Sequence, residues 1–590
     1  MAAMAGEPMA ERTRLAFFVA GQRWRRLITR VTANPLYRWR FALRIPDRLL
    51  IAPQELRTGD PTLASEIYAG RFTFAGKAVA TEGHSPFEME PPSREWAEVL
   101  LGFAWLRHLR AAGTSIARQN ARALVDDWIT LQGGYHPLGW EPEIVARRVV
   151  SWITQAPLIL QDADHVFYRA FLRSLTRQVR YLRRAMGETR DGYPRLLATV
   201  ALAFAGLCLA DQTRLLNTAT KRLGDELDRQ ILPDGGHISR NPGVLIEILL
   251  DLLPLRQAFE ARNLPPPPAL QNAIDRMMPM LRFFRHGDGA FAQFNGMGAT
   301  PADLLATVLA YDDARGTPVS NASYSGYQRL DAGTSLVIAD TGQPPPFLVS
   351  YDAHAGCLSF EFSAGRHRVF VNCGMPVNNR DAWRQAARAT AAHSTAIFND
   401  TSSCRFLVSE SFGRLLGVPI IAGPTEIKLV RTERDGAHLC RASHDGYAER
   451  FGIMHQRSWR LANDGSRLDG EDIFFAANGE EIPAGVPDLY AVRFHLHPSV
   501  KASRRADGKS VLLLLPGHES WLFTSSAFQV DLEESVFLSA IDGPRRTSQI
   551  VIPGRAHRVP RIVWTLIRAE RAEATATTEK RSVPEPQLPL

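Results

Sequence analysis

The chain has 590 residues, of which 45% are hydrophobic and 22% charged, as in ordinary globular proteins. This composition excludes a disordered or fibrous chain, and the length exceeds the roughly 250–300 residues at which one hydrophobic core stops growing, so two large domains are expected. The formal net charge of +8 is carried mainly by arginine, whose guanidinium group binds carboxylates and sulfates bidentately; a plain solvated basic surface is the alternative. No nucleic-acid-binding motif is visible, so nucleic acid is not expected as a partner.

The N-terminal residues predict neither an export signal nor a membrane span. The stretch MAAMAGEPMAERTRLAFFVAGQRWRRL holds a short apolar run before the arginines resume. That run is shorter than a signal-peptide core and far shorter than the ~20 apolar residues of a membrane-spanning helix. We therefore predict an N-terminal extension over residues 1–70, no transmembrane segment and, from the sequence alone, a cytoplasmic protein. The five cysteines form no CxxC pair, which disfavours a disulfide scaffold.

Residues 71–312 are predicted to form a helical domain. Apolar residues recur at helical spacing in segments that end at glycine- and proline-rich breaks. The helical segments include 95–111, 142–155, 167–184, 194–209 and 244–262, and the breaks lie at 133–142, 187–194, 232–243 and 263–268. Successive helical hairpins of this kind are typical of an α/α toroid, although no exact internal repeat is visible.

Residues 327–567 are predicted to form an antiparallel β-sandwich. Short β-branched and aromatic runs, bounded by glycine, asparagine, aspartate or proline, follow one another as strands do. They include residues 333–342, 347–365, 367–374, 405–410 and 508–517. The segment 312–326 is the predicted linker, and the charged, proline-rich residues 568–590 are predicted to be a disordered tail. The fold class is therefore a multidomain α+β protein, with an N-terminal toroid followed by a sandwich.

Several stretches carry a family resemblance. They are AHAGCLSFEFSAGRHRVFVNCG (353–374), TAAHSTAIFND (390–400), HDGYAERFGIMHQRSWRL (444–461) and, in the helical half, GFAWLRHLR, LPDGGHISRNP and LRFFRHGDGAFAQFNG. Their order and spacing resemble the heparinase II/III family of bacterial polysaccharide lyases. The resemblance implies β-elimination on a uronic-acid-containing acidic polysaccharide in a cleft between toroid and sandwich, no organic cofactor, and a place in the cell envelope or periplasm. The resemblance does not indicate an oligomeric state.

The resemblance also implies a structural zinc ion. Its ligand positions fall on His354, Asn372 and His393. Asn372 stands where the family has aspartate, and a neutral amide is a weaker zinc ligand than a carboxylate or a thiolate. The alternative is a hydrogen-bonded histidine pair at the edge of the sandwich.

β-Elimination needs a group that neutralises the uronate, a base for the C5 proton and an acid for the leaving oxygen. On the toroid loop, Arg240 and Asn241 are candidates for neutralisation and His237 for proton transfer, whereas helix capping before Pro242 is the alternative role for Asn241. Upstream, Arg195 and Tyr193 stand where family lyases have asparagine or histidine, and they are predicted to bind substrate.

Further candidates lie in the sandwich. Asp352 stands at a position where the resemblance implies a histidine, which makes it a catalytic candidate that would also repel a uronate. His455 and Arg457 alternate on one face of a predicted strand; the first is a candidate acid or base and the second a candidate substrate ligand, with a buried hydrogen-bonding pair as the alternative. The prediction is a polysaccharide lyase-like protein, and the rival is a non-catalytic, polysaccharide-binding or envelope-associated protein on the same fold.

Overall fold

A computed structural model describes residues 45–569, except 135, 313–315, 377–380, 408–417, 435–436, 480–481 and 483–486, together with residues 20, 21 and 24. The chain divides into two compact units, which we call the helical unit (residues 1–238, 244–278 and 301–315) and the sandwich unit (residues 239–243, 279–300 and 316–590). Most of the predicted N-terminal extension and nearly all of the predicted tail lie outside the described residues.

The first part of the chain is helical, apart from one β-hairpin. The helices are α1 Pro61–Tyr68, α2 Arg94–Gly102, α3 Leu106–Ala112, α4 Ser115–Leu131, α5 Pro142–Thr154, α6 Ala156–Leu160, α7 His165–Ala185, α8 Tyr193–Cys208, α9 Thr213–Gln230, α10 Pro242–Ala261, α11 Pro268–Phe283 and α12 Ala302–Leu309. The hairpin consists of β1 Arg71–Phe74 and β2 Lys77–Ala80.

The predicted glycine- and proline-rich breaks fall between helices. Helix α5 starts with a proline in its first turn, and α8 follows Gly192, whose φ of 80° ends the preceding loop. The helix predicted over 95–111 is interrupted instead. Phe103 adopts a φ of 58° and ends α2, because a left-handed residue cannot continue a right-handed helix.

The sandwich unit contains two large antiparallel sheets. Their strands are β3 Asn321–Ala322, β4 Tyr327–Ala332, β5 Ser335–Asp340, β6 Phe360–Ala364, β7 His367–Val371, β8 Ala396–Phe398, β11 Ile427–Arg434, β12 Ala437–Tyr447, β13 Ile453–Ala462, β14 Arg467–Ala476, β15 Leu489–Leu496, β16 Lys501–Arg504, β17 Ser510–Leu514, β18 Ser520–Ser525, β19 Asp531–Phe537, β20 Arg545–Arg555 and β21 Arg561–Arg568. A small sheet pairs β9 Arg405–Phe406 with β10 Ile420–Ala422, and two helices, α13 Asp381–Arg388 and α14 Ala448–Phe451, complete the unit.

One sheet has the order β11-β12-β13-β14-β21-β18-β17-β16 and the other β19-β20-β15-β7-β6-β5-β4-β3, with β8 added to β15. Their facing surfaces form one apolar core that includes Phe360, Trp459, Phe494, Trp521 and Trp564. Large aromatic side chains bury much apolar area, and this burial stabilises the stacked sheets.

The strand predicted over 347–365 is shorter in the structure. Only residues 360–364 pair as a strand, while residues 347–349 form a 3-10 turn and the following residues a loop. Leu358 has a φ of 57°, which breaks the extended backbone. The loop carries Asp352 and His354 out of the sheet. No helix in the described part of the chain is long and apolar enough to cross a membrane.

Candidate functional site

Gly296 brings together two of the residues predicted for catalysis. It has a φ of 94°, and a Cβ atom there would lie 2.8 Å from the Cβ of Asp352 and 2.9 Å from the Nδ2 of Asn241. Only glycine fits so close an approach at this backbone conformation. The two side chains therefore lie against the same point of the loop that follows α11.

Asp352 and Arg384 form the open part of this site. The two side chains make an ion pair, with exposed fractions of 49% and 30%, so each keeps part of its polar surface available. Asn241 accepts a hydrogen bond through Oδ1 from the backbone N–H of Gly243 at 2.9 Å, which is a helix cap at the start of α10. The amide thus performs the capping role while its Nδ2 faces Gly296.

Arg240, by contrast, is buried, and its guanidinium group bonds to protein atoms. Its guanidinium pairs with Asp340 and donates to the carbonyl oxygens of Ser325 at 2.7 Å and Gln343 at 2.8 Å. It also stacks on Tyr327, 4.7 Å from the ring centroid. Burial disfavours its charge, but Asp340 outweighs burial and raises the pKa of Arg240. This arginine connects strands to loops within the sandwich unit.

A polar network continues from Arg240 to the histidine pair. Asn295 donates through Nδ2 to the hydroxyl of Tyr327 at 2.7 Å and to Asp340 at 3.1 Å, and its Oδ1 accepts from the backbone N–H of His354 at 3.2 Å. Sequence reasoning overlooked Asn295 and Asp340. The Asn-Gly pair at 295–296 is a turn signal, but nothing local indicates that the turn meets a strand so distant in sequence.

His354 and His393 are hydrogen-bonded to each other. The Nδ1–H of His393 donates to the carbonyl of Ala389 at 2.8 Å, so its Nε2 accepts from the Nδ1–H of His354 at 2.9 Å. The Nε2 of His354 then carries a lone pair, and it is buried with no hydrogen-bond partner among the described residues. The side-chain Oγ of Ser359 and Nδ2 of Asn372 are also buried without a partner in the part of the chain that the structure describes, which is costly for polar groups.

Most of the predicted zinc-ligand atoms bond to protein atoms in this structure. The His354 and His393 nitrogens that face each other are used in their mutual bond, and Oδ1 of Asn372 accepts from the backbone N–H of Ser394 at 2.9 Å. Among the described residues, no group of three or more histidine, cysteine, aspartate or glutamate side chains could hold a metal ion. Zinc at this position stays an untested prediction.

His455 and Arg457 bind one buried carboxylate. Arg457 donates through Nε to Asp472 Oδ1 at 2.8 Å and through Nη2 to Oδ2 at 3.1 Å, and the Nε2–H of His455 donates to Oδ1 at 2.7 Å. Burial opposes the charge of Asp472, yet Arg457 and His455 bring its pKa down to about 2. Burial lowers the pKa of His455, so this histidine is a neutral donor at pH 7. Both residues stabilise the sheet from inside.

The remaining predicted residues belong to the helical unit. His237 is buried and its Nε2 lies 3.0 Å from Oε1 of Gln230, and burial lowers its pKa to about 3. Tyr193 donates its hydroxyl to Asp251 at 2.8 Å, and burial raises its pKa. Arg195 is 27% exposed and faces Asp191 at 3.8 Å and Glu226 at 3.6 Å. Each therefore has protein partners of its own.

The buried histidine pair predicts a specific loss of stability in acid. Burial lowers the pKa of His393 from 6.5 to about 4, so protons bind the unfolded chain more tightly than the folded one. The stability that His393 contributes is fully present above pH ~6.5 and is lost as the pH falls toward 4. Between pH 7 and pH 5 we expect a loss of about 2 kcal/mol from this group, measured as the free energy of urea unfolding.

The matched variant for that experiment is His393→Gln, which keeps a polar side chain but does not titrate. In this variant, the difference in the free energy of unfolding between pH 7 and pH 5 should be smaller by about 2 kcal/mol than in the wild type. An equal pH dependence in both proteins would contradict a buried, neutral His393.

The fold and the site define a two-unit protein with a helical toroid and an antiparallel sandwich. A family model described as heparinase II/III-like, C-terminal, matches residues 314–565. The crystal structure of heparinase III has a TM-score of 0.70 at 14% identity, covering 96% of this chain and 92% of that one. A heparan sulfate lyase HepC mutant from Pedobacter heparinus has a TM-score of 0.63 at 16% identity, covering 88% of this chain and 87% of that one. These structures establish the shared fold.

The FtsZ-localized protein C of Caulobacter vibrioides (strain NA1000 / CB15N) is 34% identical over 543 residues, which are 90% of this chain and 92% of that protein. The chain belongs to the heparinase II/III-like family.

Proposed function

We propose that this chain is a non-catalytic member of the heparinase II/III-like family that works at the bacterial division site together with FtsZ. One observation carries the loss of catalysis: the ionisable side chains predicted for β-elimination are mostly buried and bonded to protein partners. His455 is tied to Asp472, Arg240 to Asp340, and His237 faces Gln230. A general acid or base must reach substrate, and these groups are occupied inside the two units.

The link to FtsZ comes from the relative. FtsZ-localized protein C shares 34% identity over nearly the full length of both chains. The similarity therefore includes both units of this chain. The name of the relative places that protein with FtsZ. Similarity of this extent supports the same setting for our chain, with the fold used to bind a partner instead of to cleave a polymer.

A second candidate function is binding or cleavage of a uronate-containing polysaccharide. It is favoured by Asp352, Arg384 and Asn241, which meet near Gly296 with the ion pair partly exposed. Arg384 could bind a uronate carboxylate, and the net charge of +8 suits an acidic polymer. Asp352 would repel the same carboxylate, so this arrangement suits binding better than elimination.

Two measurements test the proposal together. Purified full-length chain is incubated with heparan sulfate and other uronate polymers while absorbance of the unsaturated uronate is followed in the ultraviolet, with a heparinase III as the positive control. A fluorescent fusion of the chain is imaged beside labelled FtsZ in Caulobacter vibrioides. We expect no rise in absorbance and a fusion signal that coincides with FtsZ.

The opposite outcomes are informative. A rise in absorbance that scales with protein concentration would reject the non-catalytic assignment and favour a working lyase. A fusion spread evenly through the cell, with a control fusion of the Caulobacter relative still at FtsZ, would reject the division-site role.

A further inference from the structure

The helical unit contains a cavity that is lined by none of the predicted site residues. It has a volume of about 210 Å³ and lies among α1, the β1 strand and the segment from α2 to α3. Its lining includes the apolar side chains of Phe74, Val99 and Trp105. Basic side chains of Arg71, Arg107 and His108 also line it. An apolar wall with a few convergent polar groups is the usual composition of a small-molecule site.

Arg107 is a partly buried cation that forms no salt bridge with a described residue. Its Nε donates to the carbonyl of Thr58 at 3.1 Å and its Nη1 to the carbonyl of Ala104 at 2.8 Å. No ion pair joins it to any acid among the described residues, and its Nη2 bonds to none of them. Burial lowers the pKa of Arg107. Glu55 and Glu247 offset part of that cost without bonding to Arg107, and an anion bonded to Nη2 would offset more of it.

The arginine is held in place by backbone packing. Gly59 lies so close to α3 that a Cβ atom there would be 2.4 Å from the carbonyl oxygen of Arg107. This close approach places the carbonyl of Thr58, the residue before Gly59, against the guanidinium group of Arg107. The Arg107 side chain is thereby fixed before any ligand arrives, which reduces the entropy lost on binding.

His108 adds a neutral donor to the same cavity. The backbone N–H of Asp60 donates to its Nδ1 at 2.9 Å, so the neutral ring carries its proton on Nε2. Burial lowers the pKa of His108 to about 4, which keeps the ring neutral at pH 7. The Nε2–H has no bond to a described residue and is free to donate to a ligand oxygen.

The chemistry of the cavity limits its ligand. Glu66 is the acid on its lining, and its Oε2 accepts a hydrogen bond from Thr73 at 2.8 Å; Arg71 and Arg107 outweigh this single negative charge. The volume is below the ~300 Å³ at the lower end for drug-sized ligands, which favours a small ligand such as an aromatic or branched apolar group that carries one carboxylate.

We propose that this cavity binds a small carboxylate attached to an apolar group, with the carboxylate on Nη2 of Arg107 and Nε2 of His108, and the apolar group against Phe74 and Val99. The site is separate from the Gly296 region and independent of the division-site role proposed above. Charge-assisted bonds to the guanidinium supply the specificity for a carboxylate, and the apolar wall supplies affinity by burial.

Phenylacetate is the probe, and its neutral amide, phenylacetamide, is the matched ligand control. Binding to the full-length chain is measured by isothermal titration and by saturation-transfer NMR. We expect saturable binding of phenylacetate and binding of phenylacetamide that is weaker by about tenfold or more, because a charged hydrogen-bond partner is worth roughly 1.5–3 kcal/mol. Arg107→Met should weaken phenylacetate binding by a similar factor.

Two further variants make the result decisive. Arg173→Met changes an exposed arginine on α7 and should leave binding unchanged. Val99→Trp fills the mouth of the cavity without removing a charge and should abolish binding, which tests the location even if Arg107→Met does not fold. Equal affinity for acid and amide, no saturable binding of phenylacetate, or unaltered binding in Val99→Trp would overturn the proposal.

Discussion

Replacing Asp472 with asparagine is expected to destabilise the sandwich unit by about 3–5 kcal/mol. The substitution keeps the shape of the side chain and removes the negative charge that Arg457 needs. Arg457, His455 and Asp472 all have fully buried side chains. Asp472 also accepts a hydrogen bond from Nε1 of Trp564 at 3.0 Å. Water cannot replace the lost partner, so the cation stays buried without compensation.

The free energy of urea unfolding, followed by a probe within the sandwich unit, measures this effect. Asp542→Asn is the matched control, because Asp542 pairs with Arg545 at the surface with exposed fractions of 62% and 56%. Such an exposed pair is screened by solvent and contributes little to stability. The double variant Asp472→Asn/Arg457→Met should lose less than the sum of the two single variants, because the two residues are coupled. A loss under about 1 kcal/mol for Asp472→Asn would show that the network is relaxed or hydrated.

Arg240→Met should destabilise the sandwich unit by a comparable amount, about 3–5 kcal/mol. The change leaves Asp340 buried without a cation and removes the donors of the Ser325 and Gln343 carbonyls. Arg240 also has a φ of 59°, a strained conformation for a residue other than glycine, which persists only when its surroundings fix it. Its guanidinium contacts are part of what fixes it.

This prediction separates a structural arginine from a substrate-binding one. Arg504→Met is the control, since Arg504 is 41% exposed and lies 3.7 Å from Asp531; it should change stability by less than about 1 kcal/mol. Arg240→Lys keeps the charge but cannot reproduce the planar fork, so its stability should fall between those of the wild type and Arg240→Met. The Arg240→Met protein could instead be as stable as the wild type but defective in binding a uronate polymer. That result would show that Arg240 binds substrate and is not a structural residue.

Much of the architecture follows from local sequence. Helical periodicity predicts α5, α7, α8 and α10 close to their observed bounds, and the prolines and glycines between them mark the loops. These signals depend on backbone propensities and on one apolar face per element, which a short window contains. The quoted stretches, in their order, also identified the family.

The exceptions arise where one residue adopts an unusual backbone conformation. The left-handed φ of Phe103 divides one predicted helix, and that of Leu358 ends the predicted strand before β6. Neither residue type indicates such a conformation in the sequence, because leucine and phenylalanine favour regular secondary structure. Packing around each residue imposes the conformation against its propensity.

The two-part organisation, the succession of helices and strands, and the residue types available for chemistry follow from local sequence patterns. The roles of those residues depend on long-range contacts that no local pattern contains. Arg240 meets Asp340 across 100 positions, and Arg457 meets Asp472 on neighbouring strands. Because a charge that is removed from water must be paired with a fixed opposite charge, such buried pairs stabilise the fold and are not free to react with a substrate. The Arg107 cavity also depends on the tertiary structure, because no local pattern in the sequence shows that its lining residues lie together.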